Sequence, residues 1–288
     1  MPESRRRKPQ TPTGARPTPP ARPRRPGRIL GAVPESRLEA ILARAPADRL
    51  PIWLLPHLYR QYVTGAQANH CIDAALTLGA AFNLLGIPAR PWPVRLLIEP
   101  DAGTSATLYG DNPRWEEDVF RGHCVLWLPQ HAHFIDVTLE QFEETVGDDP
   151  LVGRAAYTLH GTQLGDQPTL DWANASGTAL VRRETCSLAY TAGTEAEAER
   201  MLAAPLVHAH AAAHHRSGTN LASTAIVLFA ADPETLARAR AGPYPRLRTL
   251  LDALAHAPSD VDDDGNWRFL WPGPTGNSRP MLLDDIPL

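Results

Sequence analysis

Cysteine is scarce in this chain, with three in 288 residues. An odd, small count offers no disulfide framework and fits a reducing compartment. No apolar run approaches the ~20 residues that a membrane span needs, and the N-terminal region lacks the apolar stretch of a secretory signal. A cytoplasmic protein without membrane contact is therefore expected. Phosphate-loop, dinucleotide-fingerprint and Gly-x-Ser-x-Gly patterns are missing, so nucleotide and serine-hydrolase chemistry have no support. Acidic residues are nearly missing from residues 1–28, where Glu3 faces nine basic residues for a net charge of +8. The whole chain carries −4, so the remaining 260 residues hold −12. An acidic body is a poor nucleic-acid groove.

What is present divides into three regions. Residues 1–28 also hold eight prolines, and with so little to bury they read as a disordered Arg/Pro-rich tail. Such a tail can dock on an acidic partner or nucleic acid, or serve as a solvated spacer. Residues 29–150 read as a folded core and 151–288 as a C-terminal extension of mixed α/β character. Hydrophobic residues at 43% supply enough apolar surface for a sizeable interior.

Within the core, Ser36–Arg44 has helical spacing, and Ser36 with Glu39 fits a capping box. Ile52–Tyr62 should be a helix bent or split at Pro56. Cys71–Leu85 is apolar nearly all round and predicts a central buried helix, with Asn69 to cap its start and Gly86 its end. Strands are expected at Val94–Ile98, His123–Leu128 and His133–Val137, the last two as a hairpin. The polar stretch Glu99–Gly122 is long enough for a functional flap. Further on, Ala179–Thr191 reads as one or two strands and Glu195–His215 as helix broken near Pro205. Ala225–Phe229 reads as a short buried strand, and Pro233–Arg240 and Pro245–His256 as helices.

Cys71, His123 and Asp136 form the set that carries chemistry. A thiol in a helix's first turn is favoured as thiolate by the macrodipole. His123 and Asp136 sit on neighbouring hairpin arms, close enough for an imidazole–carboxylate hydrogen bond. Thiol, imidazole and orienting carboxylate are what nucleophilic acyl chemistry requires. The competing reading is a cysteine serving as a small apolar core residue.

The order of these elements resembles the transglutaminase-like core of the papain-like superfamily. The resemblance covers residues 60–145 and rests on three pieces: the cysteine helix leaving through Gly86-Ile87-Pro88-Ala89-Arg90, the histidine strand, and Phe134-Ile135-Asp136-Val137-Thr138. It departs where the family usually has His-Ala-Trp and this chain has His123-Cys124-Val125. The resemblance implies an α+β fold with the cysteine helix packed on an antiparallel sheet. It makes Cys71 nucleophile, His123 general base and acid, and Asp136 the orienting carboxylate. Gln67 and Asn69 are the nearest candidates for an oxyanion donor. The implied activity is hydrolysis or transfer on a peptide or amide substrate, with no cofactor and no catalytic metal. The alternative is an inert relative that binds partners, recruiting them through its basic tail.

Other signals rank lower. His210 and His214 lie one helical turn apart, a spacing that can hold zinc. No glutamate falls between them, so the metalloprotease pattern fails and the cluster reads as a polar face. Cys124 with His131 and His133 is a thin metal reading, because alternation turns Cys124 away from His123. Asp260–Gly265 matches the first half of a calcium loop, but Trp271 takes the place of the closing glutamate. Cys186 is assigned no role.

Deleting residues 1–28 should leave the thermal midpoint unchanged. Collapse of the folded state in that deletion would overturn the tail assignment.

Overall fold

The computed structural model describes residues 35–62, 70–101, 103, 105–145, 156–158, 177–183, 185–272 and 277–287. The tail 1–28 and the oxyanion candidates Gln67 and Asn69 lie outside the described residues. No helix among the described residues is long and apolar enough to cross a membrane.

Among the described residues, three helices come first: α1 (Glu35–Arg44), α2 (Leu50–Tyr62) and α3 (Cys71–Leu84). Helix α1 begins one residue before Ser36, so the expected cap lies inside the first turn. Helix α2 runs through Pro56 as one element instead of splitting there. Helix α3 buries residues on every side, Cys71, Ala74, Leu78 and Phe82 among them, as its apolar composition requires. Gly86 takes φ 74°. Its N–H bonds Asn83 O (3.0 Å) and the Ile87 N–H bonds Phe82 O (2.9 Å), the paired closure of a Schellman turn. Beyond it, Asn83 clamps Ala89, donating to its O at 3.1 Å and accepting from its N–H at 3.0 Å. The Gly86–Arg90 exit is thus a structural hinge that aims the chain into the sheet.

Among the described residues, twelve strands follow in three antiparallel sheets. The main sheet contains β1 (Arg90–Pro100), β2 (Thr107–Tyr109), β5 (His123–Leu128), β6 (His133–Ile135), β7 (Ala156–Thr158), β8 (Thr178–Arg182) and β9 (Cys186–Ala192). Its order is β7-β6-β5-β1-β9-β8, with β2 added on β1. Strand β1 pairs with β5 over Arg90–Val94 and with β9 from Val94 onward. Pro91 and Pro93 therefore fall before the β9 ladder begins, where a missing N–H interrupts nothing. The expected flap Glu99–Gly122 holds β2 and a separate hairpin of β3 (Arg114–Glu116) and β4 (Val119–Arg121).

The chain beyond residue 150 completes this core. Strands β8 and β9 extend the sheet, and α4 (Glu195–Leu202), α5 (Pro205–Ala230), α6 (Pro233–Ala241) and α7 (Pro245–Leu254) follow. A small sheet of β10 (Ser259–Val261), β11 (Trp267–Pro272) and β12 (Ser278–Met281) comes next, and a 3-10 turn at Leu283–Asp285 follows it. Asp260–Gly265 spans the end of β10 and the turn to β11, where Asp262 Oδ1 accepts from the N–H groups of Asp264 and Asn266. Thr194 and Glu197 build a reciprocal capping box on α4.

Ala225–Phe229 is not a strand; it lies inside α5. A five-residue apolar run carries no period of its own. In context Leu221, Ala222, Ala225, Ile226 and Phe229 recur at helical spacing and all are buried. One apolar cluster, reaching from Leu38 to Ile286, fills the space between helices and sheet. A second is made almost wholly of strand residues, Trp92, Leu96, Trp127, Phe134 and Tyr190 among them, enclosed by the curl of the sheet.

Helices α3 and α5 approach closely at Gly218 of α5, where an added Cβ would stand 2.6 Å from Ala80 Cβ and 2.7 Å from Thr77 O. Both neighbours lie on α3 and neither is a flexible side-chain end. Gly218→Ala should therefore cost ~1–3 kcal/mol through overpacking, read as a lower denaturant midpoint. An unchanged midpoint would show that the two helices are not held so close.

Candidate active site

Asp136 follows directly after β6 and is wholly buried, so its carboxylate needs partners for every lone pair. It has four donors. His123 Nε2 donates to Oδ2 at 2.7 Å and Tyr190 Oη donates to the same oxygen at 3.1 Å. The Thr138 N–H and Oγ1 both donate to Oδ1 at 3.1 Å. Two oxygens carrying two bonds each saturate a carboxylate, so Asp136 cannot rotate without breaking a bond.

His123 opens β5 and is 2% exposed. With Nε2 committed to Asp136, the ring has Nδ1 left for its other side, and Cys71 lies near enough to influence the ring's titration. Burial alone would lower the imidazole pKa, but the Asp136 charge and bond, with Cys71 behind them, raise it from 6.5 to about 10. Phe142 meets the His123 ring edge-on at 5.4 Å and stacks in turn on Tyr109 at 4.1 Å. The Tyr109 hydroxyl donates to Glu144, as does Thr107. Gly110 closes over this wall at φ 74°, and a Cβ there would lie 2.4 Å from Val94 O and 3.0 Å from His123 Cβ.

Cys71 is the first residue of α3 and 6% exposed. His70 is the N-cap residue and makes no side-chain cap bond, so no cap side chain of its own competes for the N–H groups of the first turn. Tyr59 of α2 borders Cys71 and Asp73; burial first, then those two charges, push its phenol well above its ordinary range. It therefore stays a neutral donor beside the thiol. Strand alternation places Cys124 on the opposite face of β5 from His123, buried with the α3-facing residues. Burial, followed by the neighbouring Cys71 charge, raises its thiol pKa well above the usual value. Cys186 is buried in the sheet's enclosed cluster.

The structure therefore brings together Cys71, His123 and Asp136 from three separated segments. Tyr190, Thr138, Phe142 and Gly110 complete the surroundings, and sequence reasoning gave only Thr138 a place there. Tyr190 comes from the far side of the sheet, 54 residues after Asp136, with no local pattern to announce it. Comparisons of the chain with protein-family models, with curated proteins and with solved structures give no match.

Because the folded-state pKa of His123 lies above the ordinary 6.5, its pairing adds stability that is full below 6.5 and is lost as pH rises through about 10. NMR titration of the ring should show no deprotonation until near pH 10, and Asp136→Asn should move the midpoint to 6.5 or lower. A native midpoint near 6.5 would refute the buried ion pair.

Proposed function

We propose that this protein performs thiol-dependent acyl chemistry on a peptide or amide, by the Cys-His-Asp logic of the transglutaminase-like, papain-like core it resembles in sequence. The observation that carries the reading is the chain of contacts from Cys71 through His123 to an Asp136 whose four acceptor sites are filled. A carboxylate held this firmly orients one imidazole tautomer, and an imidazolium beside a thiol favours the thiolate.

In this mechanism the Cys71 thiolate adds to the substrate carbonyl and forms a C–S bond. The oxyanion that results points to the N-terminus of α3, where the Cys71 N–H is a donor aligned with the helix dipole. His123 gives its Nδ1 proton to the departing amine as the C–N bond breaks, which leaves a thioester and a neutral imidazole. Water or a second amine, deprotonated by His123, then attacks the thioester, releases the product and returns the proton to the ring. Whether the outcome is hydrolysis or transfer depends only on which nucleophile reaches the thioester. Gly110 and Phe142 act as positioning residues, since they restrain the His123 ring and have no part in bond making.

The low exposure of Cys71 and His123 favours a second reading, a binding protein that keeps the fold and recruits partners through its basic tail. Reactivity separates the two. With a soft acyl-mimic electrophile and peptide mapping, Cys71 should label first, and His123→Ala should slow that labelling at neutral pH. Cys124, with its raised pKa, and Cys186 should stay silent in the native protein. Labelling first at Cys124 or Cys186, or a Cys71 rate indifferent to His123→Ala, would give the binding reading its place.

A further inference from the structure

Two residues after Cys71, Asp73 leaves the first turn of α3 on a different side and meets α5. Facing it are His210 and His214, one turn apart on that helix. One donor atom from each of the three side chains can be chosen so that all lie within 4.8 Å of one another. His214 Nε2 stands 3.2 Å from Asp73 Oδ1, within ion-pair reach but out of line for a hydrogen bond. At that distance a protonated ring pairs directly with the carboxylate, and a neutral ring can share an ion with it. As two ligands of one ion they are in place: Zn–N and Zn–O bonds of about 2.0 Å in a tetrahedron separate the donors by ~3.3 Å.

Outer contacts agree. His214 Nδ1 lies 3.3 Å from Thr77 Oγ1, a hydroxyl that can accept the Nδ1 proton and leave the Nε2 lone pair facing Asp73. Metal-bound histidines are commonly oriented by such a second bond. His70 Nδ1 lies 2.5 Å from Asp73 Oδ2, fixing the carboxylate from its other oxygen. His210 is exposed, so the fourth coordination position opens toward water.

We propose that Asp73, His210 and His214 form a binding site for a divalent transition metal, with zinc the ion best matched to this nitrogen-and-oxygen donor set. Two imidazoles argue against magnesium and calcium, which take oxygen ligands. The ion ties the turn that begins with Cys71 to the first half of α5. That half is mostly exposed between Pro205 and Ser217, and has little packing of its own to hold it. The proposal stands apart from the acyl chemistry, since none of its ligands belongs to the Cys71, His123 and Asp136 set.

The test uses the full chain, stripped with a chelator and titrated with Zn2+ by calorimetry and with Co2+ by visible absorption. One equivalent of each should bind, with the intense ligand-field bands of four-coordinate cobalt and no thiolate charge-transfer band. His210→Ala removes an exposed ligand without touching the core, and should weaken Zn2+ binding by more than the ~10–100-fold typical of losing an outer-sphere partner. Asp73→Asn should do likewise, and His70→Ala should cost about tenfold. Cys71→Ser should bind zinc as the native chain does, even if Cys71 proves unreactive toward electrophiles. Absence of stoichiometric uptake, a sulfur-to-cobalt band, or an affinity unchanged by His210→Ala would each overturn the site.

Discussion

A helix that is apolar on every side has to be covered on every side, and most of this fold is the covering of α3. The sheet lies on one flank, α2 on another, and α5 approaches so closely that only glycine fits at position 218. The chain beyond residue 150 contributes to this enclosure: without α5, β8 and β9, the central helix and the central strand β1 would each lose a neighbour. The enclosure also fixes the first turn of α3 in space. A side chain on that turn inherits the rigidity of the whole interior, which is what a reacting group needs when small displacements cost large factors in rate.

The second organising constraint is electrostatic. Burying Asp136 and His123 beside each other would be costly if either were left short of partners. The structure meets that cost with four donors, from β5, β9 and the loop after β6, and the consequence is an imidazole whose proton is held more tightly than usual. The same surroundings leave Cys124 inert, since burial and a neighbouring charge both oppose its ionisation. On the other side of the α3 turn, imidazoles and a carboxylate collect again, this time with a ring nitrogen out of line for a hydrogen bond. A single helical turn therefore joins two polar centres of different chemistry.

Sequence by itself determined what depends on near neighbours. The extent of α3, the Gly86 closure, the β5–β6 hairpin and the turn at Asp262 all follow from residues within a few positions of each other, because capping, alternation and turn chemistry act over that range. Asp136 and His123 were legible as partners for the same reason, being 13 residues apart on adjacent arms. Tertiary structure alone decided the rest. Ala225–Phe229 has no local period strong enough to mark it as helix, and only its place within α5, with Ala225, Ile226 and Phe229 buried in the shared core, settled it. The hydroxyl of Tyr190 on Asp136, the backbone of Gly110 over His123, and the meeting of Asp73 with His210 and His214 join residues far apart in the chain. Such contacts arise from how twisted strands and crossing helices close on one another, and no short stretch of residues encodes that closure.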